Sequence, residues 1–231
     1  MMKFLFLLLS TWVYGSTSAV YAGLVDDCGA MKVGDRCKYA IMSLEPTQQF
    51  FGKKAADVKR QKLEEMSDDK RAKYLRKNPV PVVLGPDRKF HMVDHHHLAY
   101  AARMSGRENI YLKLLQDWSK IDSMDKFWEM MKAKNLVFLF DQKGKTIPIS
   151  DLPTSVMRML DNPYRSLAYF VREKECFRKS KAPFAEMLWA IFFATNMKIK
   201  EGPSGFEKAI EAGCVLAHSD KANGLPGKIG R

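Results

Sequence analysis

The stretch that decides the fold is Phe90-His91-Met92-Val93-Asp94-His95-His96-His97-Leu98-Ala99, where an apolar run typical of a strand passes directly into a run typical of a helix. A strand that enters a helix in this way places the unpaired N–H groups of the helix, and the positive end of its dipole, at the junction. Anions bind readily at such a junction. The sequence therefore predicts a phosphate-binding turn at residues 94–97.

The residues of this turn allow several kinds of chemistry. Asp94 and His97 are three positions apart, so they share a face of the helix and form the leading candidate for a catalytic acid/base pair. His95 and His96 are candidates for contacts to phosphate, and Asp94 is a candidate ligand for Mg²⁺ or another divalent metal. The simpler alternative is that one histidine begins the helix and the others face the solvent.

Two residues outside the turn are further candidates. Arg165 follows Asn162-Pro163, a helix-start pattern, and its guanidinium is interpreted either as a phosphate-binding group or as half of a salt bridge. Glu186 lies in the apolar run 183–193, and it is interpreted either as a buried carboxylate turned toward the site or as a first-turn residue that complements the helix dipole. His91 is expected to be a surface residue of its strand.

The first 22 residues have the pattern of a secretory signal peptide. Lys3 precedes a short apolar run, and Val20-Tyr21-Ala22 matches the small-residue cleavage pattern. The run is too short for a membrane span, which needs about 20 apolar residues. We therefore expect residues 1–22 to be removed and the mature protein, 23–231, to be periplasmic or secreted and to lack a membrane span.

The four cysteines fit an oxidising compartment, because an even number of cysteines in an exported chain suggests disulfides. Four cysteines allow three pairings. We favour Cys28 with Cys37, which would close a short loop near the mature N-terminus, and Cys176 with Cys214. None of the four adjoins the histidine cluster, so no catalytic thiol is expected.

Charge is the most unusual feature of the composition, with a formal net charge of +12 over 231 residues. Residues 53–77 contain ten basic and five acidic side chains. Such an excess favours contact with polyanions such as nucleic acid or anionic lipid head groups. The alternative is a solubilising helical surface, since the segment lacks interleaved aromatic residues for base stacking.

The remaining pattern predicts one α+β domain over residues 43–216. A loop-rich lead-in precedes it at 23–42, and a disordered basic tail follows at 217–231. Two helices are predicted before Pro79, with Ser67 beginning the second. Hairpins are predicted at 80–93 and 136–149, a strand at 110–115, and a helix that begins at Ser123. From residue 151 onward the pattern is helical.

Several segments together resemble the ParB-like nuclease domain of the ParB/sulfiredoxin superfamily, and more narrowly an exported ParB-like group. The resemblance covers about residues 43–195. It implies an α+β fold with a small mixed sheet, a helical C-terminal half and a phosphate-binding turn at the histidine-led helix. The segments that carry it are Leu44-x-Pro46-Thr47-Gln48, Pro79-Val80-Pro81-Val82-Val83, Asp87, Asp94-His95-His96-His97-Leu98-Ala99, Asp161-Asn162-Pro163-Tyr164-Arg165-Ser166-Leu167-Ala168 and Pro183-Phe184-Ala185-Glu186 with Trp189.

The sequence also departs from relatives in this superfamily. Kinase relatives carry Asp-Gly-His-His-Arg, whereas here His95 replaces the glycine and Leu98 replaces the arginine. A nearby Lys or Arg, or a metal, would have to supply the missing charge. The catalytic cysteine of sulfiredoxins is absent from the turn, and no helix-turn-helix module suited to chromosome segregation is found.

These observations lead to one functional prediction and two alternatives. The prediction is an exported protein that binds a phosphate-bearing ligand, nucleotide or nucleic acid, at residues 94–97 and that acts as a metal-dependent phosphodiesterase or nuclease. The first alternative is a non-catalytic nucleotide- or partner-binding module. The second is a small-molecule phosphotransferase, which the missing arginine and glycine disfavour.

Overall fold

A computed structural model describes residues 23–202 and 204–229, so the predicted signal peptide lies outside the described residues. The strands are β1 Arg36–Ala40, β2 Glu45–Pro46, β3 Phe50–Phe51, β4 Val80–Leu84, β5 Phe90–Met92, β6 Asn109–Asp117 and β7 Leu160–Asp161. The α-helices are α1 Lys53–Glu64, α2 Asp68–Lys77, α3 His96–Met104, α4 Met124–Ala133, α5 Pro163–Glu173, α6 Ala185–Asn196 and α7 Gly205–His218.

The main sheet is mixed and has the order β1-β6-β4-β5-β2. The β4–β5 and β1–β6 pairs are antiparallel, whereas β4–β6 and β2–β5 are parallel. Strands β3 and β7 form a separate parallel pair. The α+β fold with a small mixed sheet and the hairpin at residues 80–93 are therefore confirmed.

Strand β4 shows how the sheet is packed, because it is buried on both faces. Val82 belongs to a core shared with α1 and α3. Its neighbour Val83 points the other way, into a core with Phe127 and Met131 of α4. Alternation of side chains along a strand thus places helices on both faces of the sheet.

The C-terminal helices α5, α6 and α7 pack around a separate core. At its centre Phe177 stacks on Trp189, with ring centroids 4.1 Å apart and an interplanar angle of 12°. The disulfide Cys176–Cys214 ties the end of α5 to α7, and Cys28–Cys37 fastens the N-terminal segment to β1. Both predicted pairings are confirmed. Among the described residues, no helix is both long and apolar enough to cross a membrane.

The boundaries predicted for the domain were too narrow at both ends. The loop-rich lead-in contains β1, an edge strand of the main sheet. The segment predicted as a disordered tail is ordered from 217 to 229: the indole N–H of Trp189 donates to the carbonyl of Pro226 (2.8 Å), and the N–H of Arg178 donates to the carbonyl of Gly227 (2.7 Å). Contacts between residues so far apart in sequence cannot be recognised from local composition.

Two local predictions also differ from the structure. The second hairpin, at residues 136–149, is reduced to an isolated antiparallel bridge between Phe140 and Thr146. His91, predicted to lie on the surface, is only 1% exposed because α4 covers it with Phe127 and Trp128. Its Nε2 pairs with Oδ1 of Asp87 at 3.2 Å.

Candidate functional site

The turn between β5 and α3 depends on a left-handed residue. His95 precedes the helix with φ 64° and ψ 22°, and its N–H donates to Oδ1 of the exposed Asp94 (2.6 Å). An L-residue in this conformation costs roughly 1–2 kcal/mol relative to a right-handed one. No side chain caps α3, so its first N–H groups are left for water or a ligand.

His96 is the buried histidine of the turn, with 3% of its surface exposed. Burial lowers its pKa to about 4, an effect that Asp94 and a hydrogen bond to the backbone of Met92 only partly oppose. The ring is therefore neutral at pH 7. Its Nε2 is buried and has no partner among the described residues. Because the other ring nitrogen is engaged with the backbone, Nε2 is a free acceptor.

His97 is held in a different way. Its Nε2 accepts a hydrogen bond from the N–H of Gly52 (3.0 Å), and its ring lies edge-on to Phe51. Burial, followed by the charge of Arg165, lowers the pKa of His97 well below its usual value. A ring whose Nε2 already accepts a backbone N–H is suited to fixing α3 against the start of α1. This geometry favours a positioning role over the predicted acid/base role.

We call the main sheet with α1–α4 the sheet half, and α5–α7 with residues 219–229 the helical half. Gly52 lies where the two halves meet. A Cβ atom added there would come within 2.6 Å of the backbone nitrogen of Ser166 in α5. Ser166 in turn accepts a long hydrogen bond from the N–H of Ala55 in α1 (3.4 Å). The absence of a side chain at residue 52 thus lets α5 approach α1 closely and brings its first turn to the site.

Arg165 reaches the cleft from the first turn of α5. This helix begins at Pro163, and the side chain of Asn162 caps it by accepting from the N–H groups of Tyr164 and Arg165. The guanidinium of Arg165 pairs with Glu186 through Nη2, whereas Nε and Nη1 are buried and without a partner among the described residues. Both interpretations of Arg165 are therefore compatible with one geometry: Nη2 forms the salt bridge, and Nε and Nη1 are donors left for an anion.

Arg172 lies seven residues after Arg165, on the same face of α5. It also pairs with Glu186, and its guanidinium lies over the ring of Tyr169, 5.4 Å from the centroid. Burial and the nearby Arg172 lower the pKa of Arg165 to about 9, and Asp94 opposes this shift. Arg165 remains charged at neutral pH.

These groups line one cleft of about 710 Å³ between the sheet half and the helical half. Its lining is strongly cationic, with six basic side chains and two carboxylates. The basic residues are Lys59, Arg165, Arg172, Arg178, Lys179 and Lys181, and the acidic ones are Asp94 and Glu186. His95, His96 and His97 line the same cleft. The structure therefore brings together all six of the predicted site residues.

Residues 37–195 match the family model described as "Putative ParB-like nuclease". The chain belongs to this ParB-like family. It is also similar to the crystal structure of protein Atu1540 from Agrobacterium tumefaciens, with 31% sequence identity and a TM-score of 0.76. That similarity covers 85% of this chain and 98% of the other. A search of curated proteins found no match.

The donors at the turn of this ParB-like chain do not suit a resident divalent metal. Mg²⁺ prefers several oxygen ligands, usually carboxylates and water. No group of three or more His, Cys, Asp or Glu side chains in the described part of the chain could hold a metal ion. Asp94 is exposed, and Glu186 is occupied by two arginines. We therefore derive no catalytic step through a metal.

Sequence reasoning missed five of the six cationic residues of this ParB-like site as individual candidates, namely Lys59, Arg172, Arg178, Lys179 and Lys181. Arg172 had a usable signal, because residues seven apart on a helix lie on one face and Arg165 was already a candidate. Lys59 was counted only within the basic segment 53–77. Burial and then the charges of Lys62, Arg172 and Arg165 lower its pKa. The packing of α1 against α5 brings Lys59 to the cleft, and no local sequence pattern indicates this position.

Proposed function

We propose that this protein binds the phosphate group of a nucleotide or nucleic acid in the cleft at residues 94–97. The observation that carries the proposal is the pair of unpartnered donor nitrogens of Arg165. Its Nε and Nη1 are buried, unpartnered and in the same cleft as the uncapped N-terminus of α3. Buried guanidinium donors without an acceptor are costly, and a phosphate oxygen is a well-matched acceptor for them.

Arg165 also accounts for the arginine that the turn lacks. Leu98 occupies the position at which kinase relatives carry arginine, and Leu98 is buried in the core. Arg165 from α5 offers an equivalent charge from across the cleft. We infer that a long-range residue replaces a local one, so the loss of the motif arginine does not remove phosphate binding.

The basic segment 53–77 supports a polyanionic ligand. Six of its lysines are exposed, whereas Lys59 faces the cleft and Arg60 and Arg71 are held in ion pairs within their own helices. A nucleic acid that places one phosphate in the cleft could extend over this surface. The exposed lysines are Lys53, Lys54, Lys62, Lys70, Lys73 and Lys77.

Phosphodiester hydrolysis is the second candidate function, and His96 is the observation that favours it. The free Nε2 of His96 is a proton acceptor beside the proposed phosphate site. In this mechanism it would take a proton from the water whose oxygen attacks the phosphorus, and the imidazolium would give that proton to the leaving oxygen as its bond to phosphorus breaks. An anionic phosphate next to the ring would raise the low pKa of His96. Asp94 would stabilise the imidazolium so formed. His97 would act by holding α3 in place.

We also propose that the protein works outside the cytoplasm. The predicted signal peptide suggests export, and two disulfides are compatible with an oxidising compartment. Mass spectrometry of protein from the envelope or medium is expected to show Gly23 as the first residue. Protein that keeps Met1 and remains in the cytoplasm would contradict this part of the proposal.

The binding proposal is tested by calorimetric titration of the mature protein, residues 23–231, with orthophosphate, nucleotides and short single- and double-stranded nucleic acids. Arg165→Lys keeps the charge but loses the planar fork, so affinity for orthophosphate should fall about tenfold. Arg158→Lys is the matched control, because Arg158 is exposed and does not line the cleft. Equal affinities of the two variants would reject the site.

The hydrolytic version requires an additional result. Wild-type protein, assayed with and without Mg²⁺ or Mn²⁺, must cleave DNA or RNA, and His96→Gln must not. His218→Gln is the control, since His218 is exposed at the end of α7. If the wild type binds these ligands without cleaving them, the protein is a binding module.

A further inference from the structure

We propose that Arg165 and Arg172 form a second anion subsite, which Glu186 occupies in the free protein and which the second phosphate of a diphosphate-bearing ligand takes over. This inference rests on the proposed phosphate site and specifies the ligand class for it. The ligand would carry two adjacent phosphates with a terminal one, as in a nucleoside diphosphate. Binding would exchange one internal carboxylate for an external phosphate.

The position of Glu186 is the first observation. It lies in the first turn of α6, where a carboxylate complements the helix dipole. Its two oxygens instead divide between two partners on another helix: Oε2 pairs with Arg165 and Oε1 with Arg172. The side chain of Glu186 is 22% exposed and lines the cleft. One carboxylate therefore bridges two guanidinium groups at a wall that solvent and ligands can reach.

The charge balance is the second observation. Lys59, Arg165 and Arg172 line the same cleft, where the charges of the two arginines lower the pKa of Lys59 and the charge of Arg172 lowers the pKa of Arg165. Glu186 is the one carboxylate of the cleft lining that pairs with these cations, since the other, Asp94, forms no salt bridge with them among the described residues. The other carboxylate that pairs with Arg172, Glu173, lies outside the cleft lining and is 50% exposed. The single negative charge of the Glu186 carboxylate does not neutralise these three positive charges. The terminal phosphate of a diphosphate has one more non-bridging oxygen than a carboxylate and up to one more negative charge, so it can replace Glu186 with a net gain in attraction.

Arg165 is the link between the two subsites. Its Nη2 pairs with Glu186, while Nε and Nη1 remain free for the phosphate at the start of α3. Different donor nitrogens of one planar guanidinium can thus contact adjacent phosphates. Arg172 would contact the second phosphate on the side that faces away from Arg165. An isolated orthophosphate at α3 would leave the Glu186 bridge intact.

The test compares orthophosphate with pyrophosphate by isothermal titration of the mature protein at pH 7.5 and low salt. Glu186→Gln removes the competing charge but keeps the shape of the side chain. Its affinity for pyrophosphate should rise about tenfold, while its affinity for orthophosphate should change less than twofold. Glu173→Gln is the control, because Glu173 pairs with Arg172 outside the cleft, and it should change neither affinity.

A purely structural Arg165–Glu186–Arg172 network predicts the opposite sign. In that case Glu186→Gln loosens the packing of α5 against α6, and affinity for both anions falls or stays the same. Either result overturns the second subsite. If the wild type binds neither anion, the proposed function itself fails, so the two failures are distinguishable.

A second variant keeps the test decisive if Glu186→Gln does not fold. Arg172→Met removes one cation of the second subsite while Arg165 and the start of α3 are untouched. The ratio of pyrophosphate affinity to orthophosphate affinity should then fall about tenfold relative to wild type. An unchanged ratio would reject the subsite, because Arg172 would then contribute nothing to the second phosphate.

Discussion

The sheet half and the helical half supply different parts of the candidate site. The sheet half contributes the turn at residues 94–97, whose donors are backbone N–H groups set by one left-handed residue. The helical half contributes the guanidinium groups of Arg165 and Arg172, which packing alone brings into the cleft. Local sequence thus specifies the dipole end of the proposed anion site, whereas the charged wall of that site depends on how two separate cores fit together.

Measuring how a core mutation in one half changes the free energy of unfolding tests this comparison most directly. Trp189 is fully buried at the centre of the helical half, stacked on Phe177. Trp189→Ala should lower the free energy of unfolding by about 3–5 kcal/mol, because it removes a large side chain and leaves a cavity. Urea unfolding followed by circular dichroism measures the loss.

The control for this prediction is the neighbouring Leu188, which is 40% exposed. Leu188→Ala should change the free energy of unfolding by no more than about 0.5 kcal/mol. Hydrogen exchange of Trp189→Ala should show increased opening in α5–α7 and little change in β4–β6. Equal loss of protection throughout would show that the two halves unfold as a single cooperative unit.

Acid should affect the sheet half first. His91, His96 and His97 all lie there, and burial lowers the pKa of each. For His96 the folded pKa is about 4, below the ordinary 6.5, so the unfolded chain binds a proton first as the pH falls. Its full stabilising contribution is therefore present above pH 6.5 and is lost between pH 6.5 and about 4. The loss from His96 alone is roughly 3 kcal/mol.

The measurement is the free energy of unfolding at pH 7.5, 6, 5 and 4 for wild type and for His96→Gln. Wild type should lose stability more steeply than the variant over this range, since carboxylates titrate in both. His218→Gln, which alters the exposed histidine of the helical half, should follow the wild-type curve. Parallel curves for wild type and His96→Gln would contradict the shifted pKa.

The smallest expected difference concerns the two disulfides, one in each half. Cys176–Cys214 spans 38 residues of sequence and Cys28–Cys37 spans 9. In the chain-entropy model, a longer closed loop restricts the unfolded chain more. Replacing both cysteines by serine should therefore cost about 1 kcal/mol more for the Cys176–Cys214 pair. Equal losses would indicate that residual structure in the unfolded chain already limits the longer loop.

The elements that were predicted correctly have strong local signals. The hairpin at residues 80–93 has a turn rich in Gly and Pro, and the helices that begin after Ser67 and Ser123 have clear start signals. The histidine-led helix was found for the same reason. Its site residues could be named because they are adjacent in sequence or belong to recognisable segments.

The misassigned parts depend on contacts between distant residues. The strand pattern around His91 predicts a surface position, but the packing of α4 buries this residue. The roles of Glu186 and Arg165 were left open because a salt bridge and a ligand contact require the same residue types. In the structure Arg165 pairs with Glu186 through Nη2 and keeps Nε and Nη1 without a partner among the described residues, so the salt bridge does not exclude the proposed ligand contact. The position of Lys59 in the cleft follows from the approach of α5 at Gly52, for which the sequence has no periodic signal.

The contact between Arg178 and Gly227 also constrains when the cleft can form as the chain folds. The basic segment 178–182 lines the cleft, and a backbone hydrogen bond from Arg178 to Gly227 fixes it. Residue 227 must be glycine, because a Cβ atom there would lie 2.0 Å from the carbonyl oxygen of Arg178. A chain that folds from its N-terminus can complete the sheet half early. The basic segment 178–182 of the opposite wall cannot be fixed until residue 227 is available, so the proposed anion site is completed only when nearly all of the 231 residues can take part in folding.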